Sequence, residues 1–292
     1  MKQAYLIMAH DRPQELRRLL RALDDRRNDI FLHIDSRFPL QDEDINHVVE
    51  KSTLTILPSQ KVVWGGSSQI EVEMRLFEAA YRHPGQYDYY HLLSGVDYPV
   101  KSNDYINRFL ESHNGENYIS IEEEPPRFRM RFDQYHLLQN TVVGKKRNLW
   151  KYIDFASCYV QKMFGVRRFS DKEQLQKHIN WVSLTDEAVA VLVSRKESIL
   201  KRYRWTYCCD EVFVLAELRD SPLKNTISKV GNLRFMEWQW FSKHDSSPRA
   251  IGMEDWGALR QPHILFARKF MLPQSKEVYT ALEERVSGDG AR

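Results

Sequence analysis

The chain is 292 residues long, 42% hydrophobic and 28% charged, with a formal net charge of +3. These figures exclude a disordered polymer and a general polyanion binder, and leave a globular protein able to bury a core without covalent staples. The aromatic share of 12% suits a core and a sugar-stacking cleft equally, and does not choose between them. Ala4–Ala9 reads as a buried strand. Asp11 then offers a helix N-cap, Pro13 suits the first turn, and Leu16, Leu19, Leu20 and Leu23 recur at helical spacing. Ile30–Ile34 is a second strand, ending at Asp35-Ser36-Arg37, and Leu54–Leu57 is a third, before Trp64-Gly65-Gly66-Ser67. The next helix carries Ile70, Met74, Phe77 and Tyr81 on one face, and Tyr89–Leu93 is a fourth strand leading into Ser94-Gly95-Val96-Asp97. Strands alternating with helices predict an α/β fold with a mostly parallel sheet flanked by helices. Ligands of such sheets sit at the carboxyl ends of the strands, where His10, Asp35, Trp64 and Asp97 fall.

The second half is less regular. Tyr118–Ile121 and Trp181–Leu184 read as short strands, Asp210-Glu211 opens a helix running to about Leu218, and His263–Phe270 is a last strand. The expected organisation is one domain over 1–272 with an elaborated C-terminal half. Within it, 1–104 is the nucleotide-binding half and 105–272 the acceptor and catalytic half, followed by a polar, peripheral tail over 273–292. Cys158, Cys208 and Cys209 form neither a CxxC pair nor a disulfide framework, which favours a reducing compartment. No signal peptide is read, and no apolar run approaches the roughly 20 residues of a membrane span. The expectation is therefore a cytoplasmic protein whose membrane contact is at most peripheral. For the basic, aromatic stretch over 127–169, a packed helix with a solvated basic face is preferred over one resting on an anionic membrane. That stretch contains no nucleic-acid module, so no nucleic-acid partner is expected.

No Gly-x-Gly-x-x-Gly or Gly-Lys-Ser/Thr loop supports dinucleotide or P-loop binding. A metal-dependent sugar-nucleotide enzyme would carry Asp-x-Asp after a hydrophobic strand. Here Leu92-Leu93-Ser94-Gly95-Val96-Asp97 supplies one carboxylate, and Asp42-Glu43-Asp44 sits in a polar stretch that reads as solvated surface. A departing diphosphate would then need other positive charge, for which Arg249 and Lys269 are candidates. Glu211 stands at a helix start, where the dipole favours a carboxylate and an adjacent hydroxyl could lose its proton to it. A favourable helix-start charge explains it equally well. The paired cysteines read as small buried hydrophobes rather than zinc ligands.

The pieces Ala9-His10-Asp11 with Arg18–Ala22, His33–Arg37, His91–Lys101 (HLLSGVDYPVK), and Asp210-Glu211 with Leu265–Phe270 occur in a specific order and spacing. In that order they resemble the Core-2/I-branching enzymes, a family that also contains the peptide xylosyltransferases. The resemblance runs from about residue 4 to residue 270. It implies a GT-A type fold and inverting sugar transfer from a UDP-sugar to a glycan or lipid-linked glycan, with no metal or other cofactor. It implies that Glu211 is the base and that Arg249 and Lys269 hold the diphosphate. On the donor side it further implies Ala9, His10, Asp11, Asp35, Ser36, Arg37 and Trp64. On the acceptor side it implies Trp238, Trp240, Glu122 and Arg131. UDP-GlcNAc is the first donor expected and UDP-xylose its rival. The alternative to an enzyme is a non-catalytic glycan- or nucleotide-binding protein of the same fold. The animal relatives are membrane-anchored and disulfide-rich, and neither feature is expected of this chain.

Overall fold

The computed structural model describes the whole chain except residues 39, 41–44, 46, 124–127, 142–147, 171–174, 239–246 and 290–292. Asp42, Glu43 and Asp44 lie outside the described residues. The first half builds β1 (Gln3–Ala9), α1 (Pro13–Ala22), β2 (Asn28–Asp35), β3 (Thr53–Gln60), α2 (Ser68–Tyr81), β4 (Tyr89–Ser94), β5 (Asp97–Pro99) and α3 (Asn103–Ser112). The main sheet has five strands in the order β3-β2-β1-β4-β6, with β6 (Ser183–Thr185) antiparallel to β4 and the other pairings parallel. The α/β, mainly parallel expectation is what the chain adopts.

Burial explains the apolar continuity of β1. Tyr5, Ile7 and Ala9 enter a core shared with Leu16, Leu19 and Leu20 of α1, while Ala4 and Leu6 enter another with Met74 and Phe77 of α2. A strand covered on both faces has no polar side to alternate with. Chain order reverses between β1 and β4, so their carboxyl ends part at a topological switch point. Gly95 follows immediately, and a Cβ there would lie 2.9 Å from that of Ala9.

Several boundaries differ from expectation. Pro13 does occupy the first turn of α1, but the N-cap is Arg12, without a side-chain cap bond. Asp11 turns instead to His10, 2.9 Å from its Nε2. On α2, Ile70, Met74 and Phe77 are buried, but Tyr81, at its last turn, is exposed. Tyr118 and Ile121 make isolated bridges, to Ser183 and His178, in place of a strand. The last strand is only β8 (Phe266–Arg268), because its partners β5 and β7 (Arg234–Met236) are each three residues long. These form a second sheet in the order β5-β8-β7. The remaining long helices are α4 (Leu149–Met163), α5 (Asp186–Ser194), α6 (Lys196–Tyr203), α7 (Phe213–Arg219) and α8 (Lys276–Asp289). In the segment read as a polar tail, α8 buries Val278, Tyr279 and Leu282 against Tyr98 and Phe270.

A buried arginine joins the two sheets. Arg234 opens β7, and its guanidinium donates to the carbonyls of Leu92 (3.1 Å), Val182 (2.8 Å) and Asn232, and to Ser183 Oγ (3.1 Å). It also lies over the Phe266 ring of β8. Having accepted from Arg234, the Ser183 hydroxyl has its own proton for His91 Nδ1 at 2.7 Å, and His91 Nε2 then donates to Gln3 Oε1 at 3.0 Å. Burial, reinforced by Arg234, keeps His91 neutral, its pKa well below the usual range. His91 opens one of the sequence motifs, and its work is in the core. Arg234→Leu would take a donor from each of those carbonyls and from Ser183 Oγ, and is expected to cost about 3 kcal/mol of unfolding free energy. Urea denaturation measures this, and a negligible loss would mean that the sheets are joined by other means.

Candidate active site

A cleft of about 570 Å³ opens at the carboxyl ends of β1, β2 and β4, a volume that suits a small-molecule ligand. Ala9 and His10 line it from β1, Asp35 and Arg37 from β2, and Ser94 from β4. Trp64, Glu211, Trp238 and Lys269 come to the same cleft from segments distant in sequence. Asp11 and Ser36 stand beside this lining without being part of it. Asp11 forms a smaller pocket with His10, Arg12 and Gly95, and the Ser36 N–H donates to Gln60 O.

At the β2 end, Arg37 Nε and Nη2 grip Asp35 at 3.0 and 2.7 Å, and the backbone N–H groups of Arg37 (3.0 Å) and Val62 (3.2 Å) also donate to it. Burial alone would raise the Asp35 pKa, but these donors outweigh it and hold the carboxyl below its ordinary range. His33 accepts the Gln60 N–H at Nε2 (3.1 Å). Burial and then Arg75 push its pKa down to about 4, so the ring is neutral near pH 7.

At the opposite side Glu211 ends a single 3-10 turn, Cys209–Glu211, rather than opening a helix; α7 begins at Phe213. Two left-handed residues set this turn. Cys208 has φ 51 and Gly65 φ 75, and the Cys208 N–H donates to Gly65 O at 2.8 Å. A Cβ on Gly65 would fall 2.8 Å from the Tyr207 ring, so glycine is required on both counts. Gln69 ties the loops together, accepting from the Gly65 N–H and donating to Asp210 Oδ2 at 3.1 Å. The His178 N–H fixes the Glu211 carbonyl at 2.8 Å.

Glu211 Oε2 receives Arg131 Nη1 at 2.8 Å, with both side chains about a quarter exposed. Arg131, expected as an acceptor contact, is thus turned to the Glu211 carboxylate. Glu122 does line the cleft, ion-paired with Lys177. Behind Glu211, burial and then the Glu211 charge raise Asp210 to about 7. Glu73, fully buried on α2, is pushed well above the carboxylate range by burial and then by Asp210. The cation in this cluster is committed to Glu211, while burial disfavours charge on its two neighbours.

The expected pairing of Arg249 with Lys269 is not what the side chains adopt. Lys269 lines the cleft, whereas Arg249 Nη1 and Nη2 turn to Asp255 at 2.8 and 2.5 Å and to Glu254 at 3.1 Å. Two acidic groups within reach of one guanidinium hold it away. Trp238 is in the lining, and Trp240 lies outside the described residues. Asp97, at the position of a metal motif, is buried and fully engaged. It accepts Ser94 Oγ (2.6 Å) and Arg268 Nη1 (3.0 Å) at Oδ1 and the Ser94 N–H (3.0 Å) at Oδ2. Among the described residues, the grouping of three potential metal ligands is His136, Asp154 and Cys158, all buried and none in the cleft lining. Sequence reasoning missed Lys177, Asn180 and Trp181, which line the cleft from an irregular segment without a periodic signal. Arg268, next to Lys269 in one motif, was also passed over; it lies 4.4 Å from the Trp181 ring centroid.

A family model described as "Core-2/I-Branching enzyme" matches residues 3–260. Among curated proteins, the chain is 25% identical to "Xylosyltransferase oxt" of Drosophila pseudoobscura pseudoobscura, aligning over 98% of this chain and 33% of that protein. It is 24% identical to "Xylosyltransferase 2" of Canis lupus familiaris, over 98% of this chain and 34% of the relative. The chain therefore spans about a third of the length of these relatives. Among solved structures, the apo form of mouse xyloside xylosyltransferase 1 aligns at 12% identity and a TM-score of 0.39, covering 90% of this chain and 96% of that one.

The Asp210 carboxyl gives a signed expectation. Its pKa rises from 3.8 to about 7 on folding, so the native state holds more protons than the unfolded chain across that window. Stability contributed by this group falls as pH rises from about 4 to 7, then levels off. Asp210→Asn is expected to flatten the pH profile of unfolding free energy there and to stabilise the protein at pH 7.5. Identical profiles for the variant and the parent would show that Asp210 is not the group responsible.

Proposed function

The chain belongs to the Core-2/I-branching enzyme family, a family of glycosyltransferases, and on that basis we propose that its cleft performs an inverting, metal-independent transfer of a sugar from a UDP-sugar to a glycan hydroxyl. The observation that carries this reading is one cleft holding a gripped carboxylate–arginine pair, Asp35 with Arg37, a lysine, Lys269, and a carboxylate oriented by an arginine, Glu211 with Arg131. The first pair suits a ribose or base, Lys269 suits a diphosphate, and Glu211 suits a reacting hydroxyl.

In the proposed step the acceptor oxygen attacks the anomeric carbon of an α-linked UDP-sugar. Its proton passes to the Glu211 carboxylate, the bond from the anomeric carbon to the β-phosphate oxygen breaks, and UDP departs with the electron pair. A single displacement of this kind leaves a β-linkage. Arg131 acts as a positioning residue, since a bond to one carboxylate oxygen leaves the other to face the hydroxyl. Lys269 offsets charge gathering on the β-phosphate. The engagement of Asp97 by Ser94 and Arg268 supports fixed cations in place of metal coordination there. Trp64 and Trp238 offer faces for sugar stacking in the same cleft.

UDP-GlcNAc is the first donor in this reading. A second reading, UDP-xylose, is favoured by the xylosyltransferase names of the relatives.

Glu211→Gln is expected to lower kcat by about a thousandfold while leaving UDP affinity nearly unchanged. Near-parental turnover would remove Glu211 from the role. Lys269→Ala is expected to lower kcat by about a hundredfold. Arg249→Ala should act chiefly on stability, through the lost ion pairs with Asp255 and Glu254. Steady-state kinetics with urea melts separates the two, and the opposite pattern would return the diphosphate role to Arg249.

A further inference from the structure

The helix α4 is inside out. Its buried residues are Asp154 and Cys158, whereas Leu149, Trp150, Ile153, Val160 and Met163 are exposed, with Phe164 just beyond its end. Met163 and Phe164 are 84% and 82% exposed, far beyond the scattered apolar exposure of an ordinary surface. At 100° per residue these side chains, with Tyr152 and Tyr159, cover about half the helix circumference, and that arc carries no charged residue. The inward face is explained: Asp154 Oδ2 lies 2.6 Å from His136 Nδ1, its Oδ1 accepts the Leu138 N–H at 3.1 Å, and Cys158 packs beside the His136 ring. Among the described residues, the exposure of Leu149, Trp150, Ile153, Val160 and Met163 on the outward face has no such explanation.

Charge selects what covers it. Across 145–168 seven residues are Lys or Arg, and one, the buried Asp154, is acidic. A second copy docking face to face would bring two segments of the same strong net charge together. An anionic bilayer surface instead supplies an apolar layer for the arc and negative headgroups for the basic residues that precede and follow the helix in sequence. Tyrosine and tryptophan along the arc suit the boundary between the two. With 15 residues, α4 is about 22 Å long, and among the described residues no helix is long and apolar enough to cross a membrane. We propose that α4 lies flat on an anionic phospholipid surface and docks the protein there through its outward apolar face. The helix adjoins the cleft wall, with Lys151 Nζ 5.5 Å from the centroid of the Trp64 ring. The docking itself is independent of the transfer chemistry and can be read without donor or acceptor.

Co-sedimentation of the full chain with phosphatidylglycerol vesicles at low salt tests this, with phosphatidylcholine vesicles and high salt as comparisons. The double variant Met163→Ser/Phe164→Ser alters two highly exposed side chains, so its thermal melting should match the parent. Binding to the anionic vesicles is expected, weakened by salt and by the neutral lipid, and reduced about tenfold or more in the variant. Absence of binding to phosphatidylglycerol, or unchanged binding by the variant, overturns the proposal. So does a concentration-dependent dimer in light scattering that the variant abolishes, because a second copy would then be the occupant.

Discussion

The Arg234 guanidinium fixes how the two sheets meet, and the geometry of the cleft follows from that junction. The main sheet alone provides one rim: the ends of β1, β2 and β4, with Ala9, Asp35 and Ser94. The opposite wall, with Lys269, follows β8, the middle strand of the second sheet. Arg234 reaches from β7 beside β8 to the carbonyls of Leu92 and Val182, at the edge where β4 meets β6. An apolar side chain there would take a buried donor from both carbonyls. A buried arginine is costly to desolvate, but here most of its donors find acceptors in the core.

The same logic of fixed charge runs through the cleft. Three acidic groups in or beside it are each matched to a particular arginine: Asp35 to Arg37, Asp97 to Arg268, Glu211 to Arg131. These pairs orient carboxylates before any ligand arrives, so little reorganisation remains for a reaction step. Behind Glu211, Asp210 and Glu73 have no such partner, and burial shifts both toward the protonated form. Of Glu211, Asp210 and Glu73, Glu211 is the one held by an arginine, and it lines the cleft, which is the arrangement a general base needs.

The parallel half of the fold was legible because its elements carry sustained apolar patterns. The unbroken apolar run of β1 and the leucine spacing of α1 each report burial against a continuous sheet. The second half was less legible because its strands are three residues long and held by isolated bridges and Arg234, contacts that leave no period. The same holds for the site. Asp35, Trp64 and Lys269 could be located by strand ends and motif, and they share the cleft. The side-chain directions of Arg131 and Arg249 depend on partners distant in sequence or on a local turn, Glu211 for one and Asp255 for the other. Lys177 and Trp181 sit in irregular chain, where spacing carries no information. For α4, composition suggested a packed helix with a solvated basic face. The anchoring of Asp154 by His136 instead turned its apolar side outward, a rotation that sequence periodicity does not report.

The central claim is a single displacement at the anomeric carbon, driven by Glu211 and assisted by fixed cations. Proton NMR of the first product formed, with EDTA present and a UDP-sugar that the protein turns over, tests it most directly. A β-anomeric linkage arising from the α-linked donor is the expected result. An α-linked product, or product that forms only after manganese is added, would contradict the account.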